Sequence, residues 1–126
     1  MTFEIINPQS FGGRPSGWNH GMLAEKGGRI LFVAGQIVPV GDFVAQWDGA
    51  LGRVLEVVRS AGGTAENIGR MVCYITDRPA YLASFTPLGK VHRKHMGRHY
   101  PAMAVVEVKS LVDSKALVEI EAVAVL

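Results

Sequence analysis

Between positions 42 and 63 the chain repeats apolar residues at helical spacing. Val44, Trp47, Leu51, Val54, Leu55 and Val58 recur every three or four positions. Asp48, Arg53, Glu56 and Arg59 lie largely off that stripe. Asp42 offers a side-chain oxygen as N-cap, and Gly62-Gly63 supplies the stop. A long helix with one apolar face must bury that face against something else in the chain.

The candidates for that partner are strands. Residues 22–25 and 30–34 are strand-like, with Lys26-Gly27-Gly28-Arg29 between them, which reads as a hairpin. A buried strand is expected over 70–75, broken by Asp77-Arg78-Pro79. Thr86-Pro87 reads as an N-cap with proline at the first helical position, so a second main helix is expected from there to about Gly97. Residues 81–85 are read as a possible separate turn. Residues 102–108 are almost wholly apolar, as in a strand covered on both faces. Residues 117–126 alternate: Val118, Ile120, Ala122 and Ala124 share one face, and Glu119, Glu121, Val123 and Val125 the other. The expected architecture is α+β, one domain over residues 1–126, with a single mixed sheet and two helices on one of its faces. No helix is left for the other face, so self-association is the economical cover.

Composition narrows the function classes. Hydrophobic residues make up 48% of the chain and charged ones 19%, which argues against disorder. The net charge of +2, without a long Lys/Arg run, gives no electrostatic footprint for nucleic acid. The nearest such stretch, residues 90–95, reads as a solvated helix face. Nothing approaches the roughly 18–20 apolar residues that span a bilayer, and the N-terminus shows no secretory signal, so a cytoplasmic location is expected. Cys73 is alone, lies mid-strand, and reads as a small buried hydrophobe.

Few residues carry chemistry by spacing. His92, His95 and His99 can share a helix face and invite a zinc reading, but Gly97 is expected to end the helix first and no acid or thiol lies nearby, so no metal is expected. Residues 8–17 form a Gly/Pro-rich loop ending at Trp18, a lid or an anchor. Gly35, at a strand end, allows close approach of a ligand or another backbone. Glu119 is the best-placed acid or base, since a partly buried carboxylate tends toward a raised pKa. The plainer alternative is a carboxylate on a solvated strand face, as read for Glu121.

Several segments together resemble the Rid (reactive intermediate deaminase, YjgF-like or L-PSP endoribonuclease-like) family. Phe32-Val33-Ala34-Gly35-Gln36-Ile37 is similar to its early strand, and Ala45-Gln46 with Leu51 and Val54 to its first helix. Ala61-Gly62-Gly63 and residues 68–77 resemble its next strand and closing Asp. Tyr100-Pro101-Ala102-Met103 matches its aromatic-Pro-Ala-Arg except at the last residue, and Val118-Glu119-Ile120-Glu121-Ala122 resembles its C-terminal strand. The resemblance runs from about Pro15 to the end. It implies a chorismate-mutase-like fold, a homotrimer with inter-subunit clefts, and cofactor-free hydrolysis of enamines and imines such as 2-aminoacrylate. It also implies that Glu119 helps position and activate water.

The cleft implied by that resemblance departs from the deaminating pattern. Met103 stands where the arginine pairs with the substrate carboxylate, and a thioether cannot form that bidentate pair. Phe85 stands where many members have Asn, Val105 where some have Cys, and Trp18 where Tyr is frequent. The expected substrate-binding set is therefore Trp18, Gly35, Phe85, Met103 and Val105, around a small-molecule ligand more apolar than 2-aminoacrylate. A non-catalytic binding protein is the alternative, and an endoribonuclease is a weaker one. Arg14, Arg98 and His99 are loop-proximal cations that can be imagined in place of the missing arginine.

Overall fold

The structure is a computed structural model that describes residues 3–126. The reading of the N-terminus as leaderless rests partly on Met1 and Thr2, which lie outside the described residues. The strands are β1 (Phe3–Ile6), β2 (Gly21–Ala24), β3 (Ile30–Gln36), β4 (Ile68–Ile75), β5 (Ala102–Glu107) and β6 (Val118–Val125). The α-helices are α1 (Phe43–Ser60), α2 (Arg78–Leu82) and α3 (Phe85–Met96).

Helix α1 forms as its sequence dictates. Asp42 Oδ1 accepts the Ala45 N–H at 2.9 Å, and Gly62, at φ +89°, turns the chain out of the helix. Trp47, Leu51, Val54, Leu55 and Val58 are buried. Buried Gln46 on the same helix donates to the Lys115 carbonyl at 3.1 Å and accepts from the Leu117 N–H at 2.8 Å, pinning the loop before β6.

The sheet beneath α1 is mixed, in the order β3-β6-β4-β5, antiparallel except for the parallel β4–β5 pair. A parallel pair needs a crossover, and α2 and α3 provide it. The α+β architecture is thus as expected, with the buried positions of β6 at Val118, Ile120, Ala122 and Ala124. Met71, Cys73 and Ile75 of β4 lie directly opposite Ala122, Ile120 and Val118 and share the helix-side core. No helix among the described residues is long and apolar enough to cross a membrane.

Four details differ from the sequence reading. Residues 26–29 do not close a hairpin: β2 pairs with β1 in a separate two-stranded sheet, while β3 pairs with β6. Alternation marks a strand without naming its partner, and β6 offers β3 the longer complementary edge. A third helix, α2, follows β4, capped by Asp77 Oδ1 accepting the Ala80 N–H at 3.0 Å. Helix α3 starts at Phe85, so Thr86 is not its cap. Pro87 sits in its first turn, where a missing N–H costs nothing. Finally, β5 is the sheet edge, and Ala104 and Val106 are exposed rather than covered on both faces.

Candidate functional site

Strand pleating divides the expected site residues between two faces of the sheet. Met103 and Val105 of β5 lie opposite Met71 and Cys73 of β4, so they point to the helix side. Glu119 lies opposite Tyr74, one residue out of phase with Cys73, and points to the other side.

On the helix side, the β5 edge, α3 and the loop before β2 enclose a cleft of about 450 Å³. Buried Asn19 holds that loop down. Its side chain donates to the Tyr100 carbonyl at 2.6 Å, and its backbone N–H donates to the Pro101 carbonyl at 3.2 Å. Ser16 and Gly17 are thereby set at the cleft and Trp18 beside it. Trp47 stacks on Tyr81 at 5.7 Å, and Phe85 meets Tyr81 edge-on at 5.3 Å, which gives the cleft an aromatic wall. Met103 lines this cleft and an adjoining compartment that it shares with Trp18, Tyr81 and Val105. Trp18 also packs edge-on against His20 at 4.5 Å, so it is anchored as well as bordering the cleft. Burial raises the Tyr81 hydroxyl above its ordinary value of 10.0, keeping it protonated near neutral pH.

The far wall is made by α3 and Tyr100. The His92 ring stacks on Tyr100 at 4.5 Å, and His92 Nε2 donates to the His99 carbonyl oxygen at 2.8 Å. Burial lowers the His92 pKa from 6.5, chiefly by removing solvent from the charged form, so the ring is neutral at pH 7. Arg93 follows it along the lining.

On the opposite sheet face, Glu119 is seated against Gly35. A Cβ added at Gly35 would stand 2.6 Å from Glu119 Oε2, so only glycine leaves room for the carboxylate. The close approach expected at Gly35 is therefore made by a side chain of the same chain. Neighbouring Glu121 accepts a hydrogen bond from Tyr74 Oη at 2.5 Å. Around these carboxylates the face is apolar and uncovered: Phe32 is 77% exposed and Ile30 61%.

The three histidines do not converge. His92 Nε2 is engaged by the His99 carbonyl, His95 Nε2 by Asp48 Oδ1 at 2.6 Å, and His99 Nε2 by the Ile68 carbonyl at 2.7 Å. No group of three His, Cys, Asp or Glu among the described residues is arranged to hold a metal ion. Cys73 is fully buried, and desolvation pushes its thiol far above the ordinary range, which leaves it unreactive. Arg14, Arg98 and His99 do not line the cleft; the guanidinium that does is Arg93. From sequence alone Arg93 falls within a stretch that reads as a solvated helix face. The signal that could have found it is Gly89, one turn earlier, with Leu88 and His92 on the adjoining stripe.

A family model described as Endoribonuclease L-PSP matches residues 16–126. Among solved structures, the chain is similar to YyfB of the conserved Rid protein family from Yersinia pestis. The two are 30% identical, each chain is covered in full, and the TM-score is 0.83. A YjgF-family member from Mycobacterium tuberculosis is 28% identical, with 99% of this chain and 100% of that one covered and a TM-score of 0.67. TdcF of E. coli, solved with bound serine, is 28% identical over 98% of both chains at a TM-score of 0.65. No curated protein matches the chain.

Proposed function

The chain belongs to the Rid/YjgF family, and from that premise we propose that it hydrolyses an imine or enamine more apolar than 2-aminoacrylate, in clefts between the subunits of a homotrimer. The observation that carries this reading is the wall around Met103. Trp47, Tyr81 and Phe85 offer stacking surface, and Met103 offers a polarisable thioether, where the family resemblance leads one to expect an arginine. Such a wall favours a bulky apolar substituent over a small polar one.

The reaction is R₂C=NH + H₂O → R₂C=O + NH₃; an enamine first tautomerises to the imine. Water adds to the carbon of the C=N bond, the carbon–nitrogen π electrons move to nitrogen, and the resulting carbinolamine expels ammonia. Glu119 is the group proposed to take the proton from water and return it to the departing nitrogen. Its placement supports an inter-subunit site. Glu119 and Gly35 face away from their own cleft, on the bare apolar side of the sheet, while the cleft opens at the β5 edge, where a second copy has access. Bound serine in the E. coli TdcF structure supports an amino-acid-like ligand, the side-chain preference being set by the wall around Met103.

The same separation favours the second reading, a non-catalytic small-molecule binder, because one protomer holds the binding wall without its acid or base. Glu119→Gln distinguishes the two. A hydrolase loses turnover, read as keto-acid release, while ligand affinity is nearly unchanged. Full turnover in that variant would rule Glu119 out as the proton carrier.

A further inference from the structure

The arginine absent at position 103 raises the question of what, if anything, neutralises a charged ligand here. Three observations converge on α3. First, Arg93 lines the cleft alongside Met103, His92 and Phe85. Second, its chain neighbours point elsewhere: Lys94 Nζ and His95 Nε2 both bind Asp48 of α1, at 2.9 and 2.6 Å. Arg93 has no acidic partner among the described residues. Third, its guanidinium lies back along the helix over Gly89. A Cβ placed there would sit 3.6 Å from Arg93 Nη1, in ordinary van der Waals contact, so the guanidinium rests beside Gly89 on the cleft lining.

The surroundings give this charge its meaning. Among the described residues no Asp or Glu lines either compartment, and His92 is neutral near pH 7. Among the described residues Arg93 is therefore the one permanent charge on a wall otherwise made of aromatic, aliphatic and uncharged polar groups. A lone guanidinium at the rim of an apolar cleft attracts anions and pairs with a carboxylate through two parallel hydrogen bonds.

We propose that Arg93 is the carboxylate-binding residue of this cleft and that its ligand is an amphipathic monoanion. The aromatic or branched apolar body lies along Tyr81, Phe85 and Met103, and the carboxylate reaches α3. This deepens the reading of the cleft as a substrate site and rests on it. Within that reading, the substrate class is the imino acid of a bulky apolar amino acid.

The test is calorimetric titration of the intact protein with 3-phenylpropionate and with its uncharged amide, 3-phenylpropanamide. The wild type binds the acid more tightly than the amide. Arg93→Gln weakens the acid about tenfold to a hundredfold, the range of a charge-assisted pair, and leaves the amide unchanged. Arg93→Lys retains part of the preference, and Arg98→Gln, outside the cleft, retains all of it. Thermal melting of each variant verifies its folding. If acid and amide bind equally and Arg93→Gln alters neither, the cleft reading stands and the assignment of Arg93 is wrong. If neither compound binds the wild type, both are wrong.

Discussion

Gly35 and Glu119 act as a pair at the scale of single residues. The carboxylate occupies the space a side chain at position 35 would fill, so Gly35→Ala forces Glu119 from its seat. The variant is expected to lose at least about tenfold in keto-acid release, within the range general acid–base catalysis contributes. Its melting temperature should stay close to wild type, because position 35 is exposed. Normal activity in a folded Gly35→Ala protein would show that the seat is not needed. This partnership was only half legible in the sequence. A glycine ending a strand signals close approach, but the group approaching lies 84 positions away, and only the bulged β3–β6 register brings it there. Arg93 was hidden for a different reason. In a run of basic residues, helical spacing alone cannot say which one faces a cleft whose other walls come from distant segments.

Among the elements, α1 and α3 are joined by more than their apolar faces. Asp48 of α1 accepts from Lys94 and His95 of α3, and the Lys94 hydrogen bond, followed by that of His95, holds its carboxyl below the ordinary value of 3.8. A depressed carboxylate pKa adds stability that is fully present above pH 3.8. That stability is lost as pH falls through the lower folded value. Asp48→Asn is therefore expected to destabilise the protein at pH 7 by about 0.5–1 kcal/mol, the range for a solvent-screened pair. The difference should shrink below pH 3.8, read from urea midpoints of both proteins across pH. A constant difference would mean that the cost is one of packing. Elements with a strong internal pattern were legible: the α1 stripe, its Asp42 cap and the alternation of β6 all hold. What was not legible is pairing. The 26–29 segment has the look of a hairpin turn, yet the strand before it pairs backward with β1 and the strand after it forward with β6.

Among the described residues, one face of the sheet has no helix over it. Phe32 and Ile30 project there from β3, beside Val123 and Val125 of β6. Apart from the single bridge of Ala102 to Asn19, the β5 edge next to the cleft has no partner strand among the described residues. Contiguous apolar surface of this kind marks an interface, and a trimer that covers it would also bring Glu119 of one copy toward the cleft of another. Phe32→Glu should therefore lower the mass measured by light scattering from that of a trimer to that of a monomer, with keto-acid release lost at the same time. A wild-type protein that is monomeric yet active would break the link between assembly and site. The central claim is that the cleft selects a bulky apolar imine, and a comparison of substrates in one assay tests it most directly. Keto-acid release is followed with imino acids generated in place, by an amino-acid oxidase from phenylalanine or leucine and by a dehydratase from serine. Faster release from the phenylalanine or leucine imine than from 2-aminoacrylate, each relative to its uncatalysed rate, is the predicted result. Efficient acceleration of 2-aminoacrylate alone would contradict it.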